Sequence, residues 1–183
     1  MNSTSDKALM MKVKKGDLDK LGLLFERYNR PLFSFFYRMC KDCDTSEDLV
    51  QSVFERMLKY RESYTGSGTF TTWMFSIARN AHIDHYRKVQ RSAIPVEIDE
   101  ERLEVQEDDS AIIDHKEQKK SLLEVALERL DEEKREIVIL SRYEGLKYKE
   151  IADILNTTEG AIKVKMFRAM KELKDLVTTL SEE

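Results

Sequence analysis

Glycine and proline are scarce, 6 and 2 among 183 residues. That is too little punctuation for a fold of many short strands, each needing its own turn. Nor is there an apolar run long enough to cross a bilayer, or a signal-peptide pattern at the start. A cytoplasmic protein with no membrane insertion is expected. Cysteine is confined to Cys40 and Cys43, a lone C-x-x-C, and no second pair stands where a zinc site would need it. His82 and His85 lie far along the chain on what reads as another helix. The cysteines therefore read as one buried thiol and one near a helix end, with no metal and no cofactor. His82, Asp84 and His85 have neither a glycine-rich loop nor an acid–base partner beside them, which argues against an enzyme or a small-molecule substrate.

What the chain does have is charge, arranged unevenly. Charged residues make up 36% and hydrophobic residues 41%, the profile of a helix-rich soluble protein with modest cores. The net charge of −4 conceals a pattern. Residues 1–92 carry 16 Lys+Arg against 11 Asp+Glu, residues 93–120 carry 4 against 10, and residues 121–183 carry 11 against 14. A basic first part and a mixed last part separated by an acidic middle suggest separately working units, and nucleic acid stays open as a partner. Helical periodicity disappears after Ala93. Glu97, Asp99, Glu100, Glu101, Glu104, Glu107, Asp108 and Asp109 then follow one another with little apolar material to bury. The expected organisation is all-α: a helical domain over 1–92, an acidic flexible linker over 93–118, and a second helical domain over 119–183.

Within the first domain, Leu18, Leu21, Leu24, Phe25, Tyr28, Leu32, Phe35, Phe36 and Met39 recur at helical steps. Pro31 inside this pattern is predicted to kink or split the helix. Thr45 or Ser46 is placed to cap the next helix, with Glu47 and Asp48 in its first turn. Its apolar stripe is Leu49, Val50, Val53, Phe54, Met57 and Leu58. A glycine-containing loop over Tyr64–Phe70 leads to a helix from about Thr72 to about Arg91.

The C-terminal third has helix-turn-helix spacing. Gly145 fits a helix stop, and Tyr148–Leu155 makes two turns with Ala152 small enough for a close crossing. Asn156 can take a left-handed conformation, Thr157 or Thr158 can cap, and a last helix runs from about Glu159 to Leu173. Ile162, Leu173 and either Met166 or Phe167 face inward. Lys163, Lys165 and Arg168 then fall where a major-groove helix reads bases or phosphates, and Lys147 and Lys149 where the first helix crosses the backbone.

These segments resemble a known family. Arg129–Leu140, Tyr143-Glu144-Gly145-Leu146, Glu150-Ile151-Ala152 and Gly160–Ala169 are similar to region 4 of the sigma-70 superfamily. Asp48–Phe54 is similar to the helix by which that family's region 2 grips the polymerase clamp, and Phe70–Asn80 resembles its promoter-melting segment. The short length points to the extracytoplasmic-function subgroup. The resemblance implies a transcription initiation factor without catalytic activity. Its partners would be bacterial core RNA polymerase, promoter DNA and an anti-sigma factor. It implies that Asp48, Gln51, Leu49 and Phe54 meet the polymerase. For the −10 element it implies Tyr64, Phe70, Trp73, Arg79, Asn80, Arg87, Lys88 and Arg91, with the Tyr64–Phe70 loop as base pocket. For the −35 element it implies Lys163, Val164, Phe167 and Arg168, with Lys147, Lys149 and Lys165 beside them. Trp73 reads as core more readily than as a stacking platform. The chain departs from the family pattern at Thr65 and Ser67, which leaves the captured base open. Glu159 also departs, and either serves the helix N-terminus or accepts from cytosine. The rival expectation is a free-standing helix-turn-helix regulator that binds operators as a dimer.

Overall fold

The structure, a computed structural model, describes residues 4–92 and 122–182. The acidic linker expected over 93–118 lies outside the described residues. Among the described residues every element is helical. The order is α1 (Asp6–Lys14), α2 (Asp19–Cys40), α3 (Cys43–Lys59), α4 (Phe70–Ser92), α5 (Leu122–Arg129), α6 (Glu132–Val138), α7 (Tyr148–Leu155) and α8 (Glu159–Glu182).

The first four helices share one core. α2 buries Leu24, Leu32, Phe35, Phe36 and Met39, and α3 lays Leu49, Val50, Val53, Phe54 and Met57 against it. Each fully buried side chain of this size contributes about 1.5–3 kcal/mol. α1 is tied on by polar contacts: Tyr28 Oη donates to Asp6 at 2.7 Å, and Lys14 Nζ donates to the Tyr64 carbonyl at 2.7 Å. Two sequence expectations need correction. Pro31 lies inside α2 without splitting it, because packing along the whole helix holds the turn where the missing N–H removes one bond. α3 begins before Thr45, since Asp42 is its cap and accepts the Thr45 N–H at 2.7 Å. Ser46 is instead buried and donates to the Asp42 carbonyl.

The second bundle is α5–α8. α8 buries Ile162, Met166, Ala169 and Leu173, a stripe at alternating four- and three-residue steps, against α5, α6 and α7. α6 runs on into a π-helical turn, Ile139–Tyr143, that buries Ile139 and Leu140. Gly145 (φ 68°) and Asn156 (φ 52°) supply the left-handed residues at the two sharp corners, and Thr158 Oγ1 caps α8 through the Ala161 N–H at 3.2 Å. Ala152 is buried where α7 crosses α8.

The bundles pack on one another through α4 against α7, and α2 against α6 and the π-helical turn. Arg135 clamps this seam. Its guanidinium donates to the carbonyls of Leu127 (3.1 Å), Glu128 (2.5 Å) and Leu130 (2.9 Å), and across the seam to the Met39 carbonyl (3.1 Å). These carbonyls lie at helix ends, where intrahelical donors run out, although the Leu127 carbonyl also accepts the Leu130 N–H at 3.3 Å.

Candidate nucleic-acid interface

α8 presents the outward face of the helix-turn-helix. Lys163, Val164, Phe167 and Arg168 are exposed, and Phe167 at 73% is too open to be core. Met166 therefore fills the inward position that sequence left between it and Phe167. Lys163 pairs with Glu159 at 2.8 Å, which places Glu159 in the first turn, where its charge suits the helix N-terminus. Lys165 pairs with Glu133. Lys147 and Lys149 are exposed at the start of α7.

In the first bundle the expected residues separate into floor and rim. Tyr64 and Phe70 are 1% and 4% exposed. With Trp73 they form an aromatic floor, Tyr64–Trp73 centroids standing 4.9 Å apart and Phe70 also meeting Tyr28 at 5.3 Å. Tyr64 and Phe70 thus support the loop from below, their rings packed on one another at 6.4 Å. Trp73 is half-buried and lines a cavity of about 560 Å³ with Thr65, Ser67, Thr69 and Thr72. Thr65 and Ser67 hydrogen bond to each other at 2.6 Å. Asn80, Arg87, Lys88 and Arg91 are exposed along α4, and Arg79 is half-buried. On α3, Asp48 and Gln51 are exposed, whereas Leu49 and Phe54 are core, Phe54 being covered by the Phe25 ring at 5.0 Å. Leu49 and Phe54 thereby support the surface that Asp48 and Gln51 present.

The far wall of the 560 Å³ cavity belongs to α7: Lys147, Lys149, Glu150 and Asp153. Glu150 accepts from Thr69 Oγ1 at 2.7 Å and Thr72 Oγ1 at 3.4 Å, while capping its own helix through the Lys147 N–H at 2.8 Å. Burial alone would raise this carboxyl, but the three donors outweigh it and hold it below its ordinary value. Further along α4, Arg79 Nε meets Glu136 at 3.1 Å and His82 faces Glu132 at 3.5 Å. Burial pushes the Glu136 carboxyl up against the pull of Arg79, and pushes the His82 imidazole down against that of Glu132. Lys41 pairs with Glu128 at 3.0 Å. Sequence reasoning missed these carboxylates. Glu136 heads the apolar run Ile137–Leu140, and Glu150 stands three residues after its helix cap, but the lysine at that cap hides the usual Ser/Thr signature.

Cys40 is half-buried and donates to the Phe36 carbonyl, and Cys43 opens α3 with its thiol pushed up by burial and the neighbouring acids. Among the described residues no group of three or more His, Cys, Asp or Glu could hold a metal ion, and no helix is long and apolar enough to cross a membrane.

Residues 24–92 match the family of Sigma-70 region 2, and residues 120–173 match Sigma-70, region 4. The ECF RNA polymerase sigma factor SigX of Bacillus subtilis is 30% identical over 167 residues, covering 88% of this chain and 85% of that protein. The ECF RNA polymerase sigma-E factor of Escherichia coli is 27% identical over 184 residues, covering 96% of each. Among solved structures, that of CnrH in complex with the cytosolic domain of CnrY superposes with a TM-score of 0.71 at 19% identity, covering 96% of this chain and 99% of that one.

Proposed function

Because this chain belongs to the sigma-70 family, in its extracytoplasmic-function group, and is an RNA polymerase sigma factor, we propose how its residues divide the work. Residues 1–92 form the unit that binds core polymerase and reads and melts the −10 element, and residues 119–183 the unit that reads the −35 element. Asp48 and Gln51 meet the polymerase clamp. They stand exposed on α3 while the opposite face is core, so they are free for a partner. The Thr65–Thr72 cavity, floored by aromatics, takes an unstacked base, and Asn80, Arg79, Arg87, Lys88 and Arg91 track the single strand. Lys163, Val164, Phe167 and Arg168 enter the major groove at the −35 element, with Lys147, Lys149 and Lys165 near the phosphates.

The observation that carries this reading is the exposed α8 face, where a large aromatic ring and cations stand together on the second helix of a helix-turn-helix. An exposed Phe has a use against thymine methyls, which a purely solvated face would not need. The protein works in the cytoplasm, without catalysis of its own, and an anti-sigma factor holds it until a signal arrives. CnrH shares the fold and was solved with the cytosolic domain of CnrY bound, and we extend such an arrangement to this chain as a proposal. Binding to core polymerase tests the assignment: Asp48→Lys should weaken it at least about tenfold while leaving the helical signal intact. Unchanged affinity would remove α3 from the polymerase surface. A free-standing regulator would bind operator duplex specifically without polymerase, which separates the rival reading.

A further inference from the structure

The cavity between the Tyr64–Phe70 loop and α7 holds two lysines that the fold leaves unused. In the same bundle Lys134, Lys163 and Lys165 are paired with Glu172, Glu159 and Glu133. Among the described residues Lys147 and Lys149 have no such partner, and both line the cavity, exposed. The first bundle contributes Trp73, half-buried and backed by the rings of Tyr64 at 4.9 Å and Phe70 at 6.3 Å. At about 560 Å³ the cavity falls within the range of about 300–1,000 Å³ that small ligands occupy. We propose that it binds a free nucleoside polyphosphate whose base carries an amino group. The proposal rests on the reading of this cavity as a base pocket, and extends it from a base in a strand to a nucleotide in solution.

Each part of such a ligand meets the chemistry it needs. An indole braced by two further rings is a fixed stacking surface, and stacking accepts any base through its π-face. The two ammonium groups at the start of α7 suit phosphate oxygens, which accept charge-assisted hydrogen bonds from them. Asp153 lies one helical turn beyond Lys149, about 6 Å along the axis, exposed on the same wall. Its carboxylate can accept from the amino group of adenine, cytosine or guanine, a group that uracil lacks. Glu150 shares that wall, but it accepts from Thr69, Thr72 and the Lys147 N–H, and those donors offset part of its charge. A ligand without phosphates forgoes the lysines, and one without a base forgoes Trp73.

Trp73 is the chain's single tryptophan, so its emission reports on this cavity. Calorimetry with the full-length protein gives the affinity for ATP, GTP, CTP and UTP, with adenosine and inorganic tripolyphosphate as partial ligands. ATP, GTP and CTP should bind and change Trp73 emission with matching saturation. UTP, adenosine and tripolyphosphate should each bind at least about tenfold more weakly, as expected when one charge-assisted or stacking contact is lost. Lys147→Ala with Lys149→Ala should lower ATP affinity at least about tenfold with its helical signal unchanged. A control, Lys171→Ala with Lys174→Ala, removes two exposed charges of α8 and should stay within about twofold. No binding, binding that leaves Trp73 emission unchanged, tripolyphosphate or UTP as tight as ATP, or an equal loss in the control each overturns the proposal. The −10 reading has a separate test: Asn80→Ala in the polymerase holoenzyme should slow promoter opening. If it does while no nucleotide binds, the nucleotide site alone fails.

Discussion

Glu144 shows how one residue can make the seam respond to pH. It follows the π-helical turn, half-buried, and burial pushes its carboxyl up to about 7 although Arg38 pulls the other way. Arg38 itself lies 4.2 Å from the Tyr143 ring centroid, a cation held against the same corner. With a folded value near 7 against an ordinary 4.5, the folded chain binds this proton more tightly than the unfolded chain. The stabilisation is complete below the unfolded value and is lost as pH rises through the folded one. His82, depressed by burial, works in the opposite direction, losing stability as pH falls through its range. Comparing a variant with its parent cancels that contribution. Glu144→Gln should melt with the parent at about pH 5 and above it at about pH 8; melting together at both would show the carboxyl to be solvated. On α8, Arg168→Ala should cost about 1–3 kcal/mol of promoter binding if the guanidinium reads a base, with a loss that depends on the −35 sequence. A uniform loss across −35 variants would make Arg168 a phosphate clamp.

At the scale of elements, the helix-turn-helix was legible because local rules and packing agree there. Gly145, Asn156, Thr158 and Ala152 each sit where conformation or crowding requires that residue type. The aromatic floor was harder to read. Tyr64, Phe70 and Trp73 have the same composition whether they stack on a base or on one another, and only the fold brings Tyr28 and Trp73 close enough to bury the first two. Leu49 and Phe54 likewise share a helix with exposed Asp48 and Gln51, and periodicity alone assigns the apolar stripe without saying which of its members a partner touches. The seam was illegible altogether, because Arg135, Glu136 and Glu150 take their meaning from residues 96, 57 and 81 positions away. Arg135→Ala tests that element-level contact. Four carbonyls lose a charged donor, so stability should fall by about 1–3 kcal/mol, read as a shift in the urea midpoint. A change within about 0.3 kcal/mol would mean that water replaces the clamp.

The whole molecule joins two helical bundles, matching Sigma-70 regions 2 and 4, on one chain. The buried apolar residues of the two bundles run together as one cluster, and the pairs Arg79–Glu136 and Lys41–Glu128 join the bundles at its edge. The central claim is that this chain directs polymerase to a promoter through −10 and −35 contacts made by these two bundles. The most direct measurement is run-off transcription by bacterial core polymerase, with and without the chain, across a promoter library with start sites mapped. Transcripts should arise only when the chain is present, from promoters sharing two elements at fixed spacing. Arg168→Ala should change the preferred −35 bases, and Asn80→Ala should lower output without changing them. Transcripts that start at the same sites with and without the chain would contradict the claim.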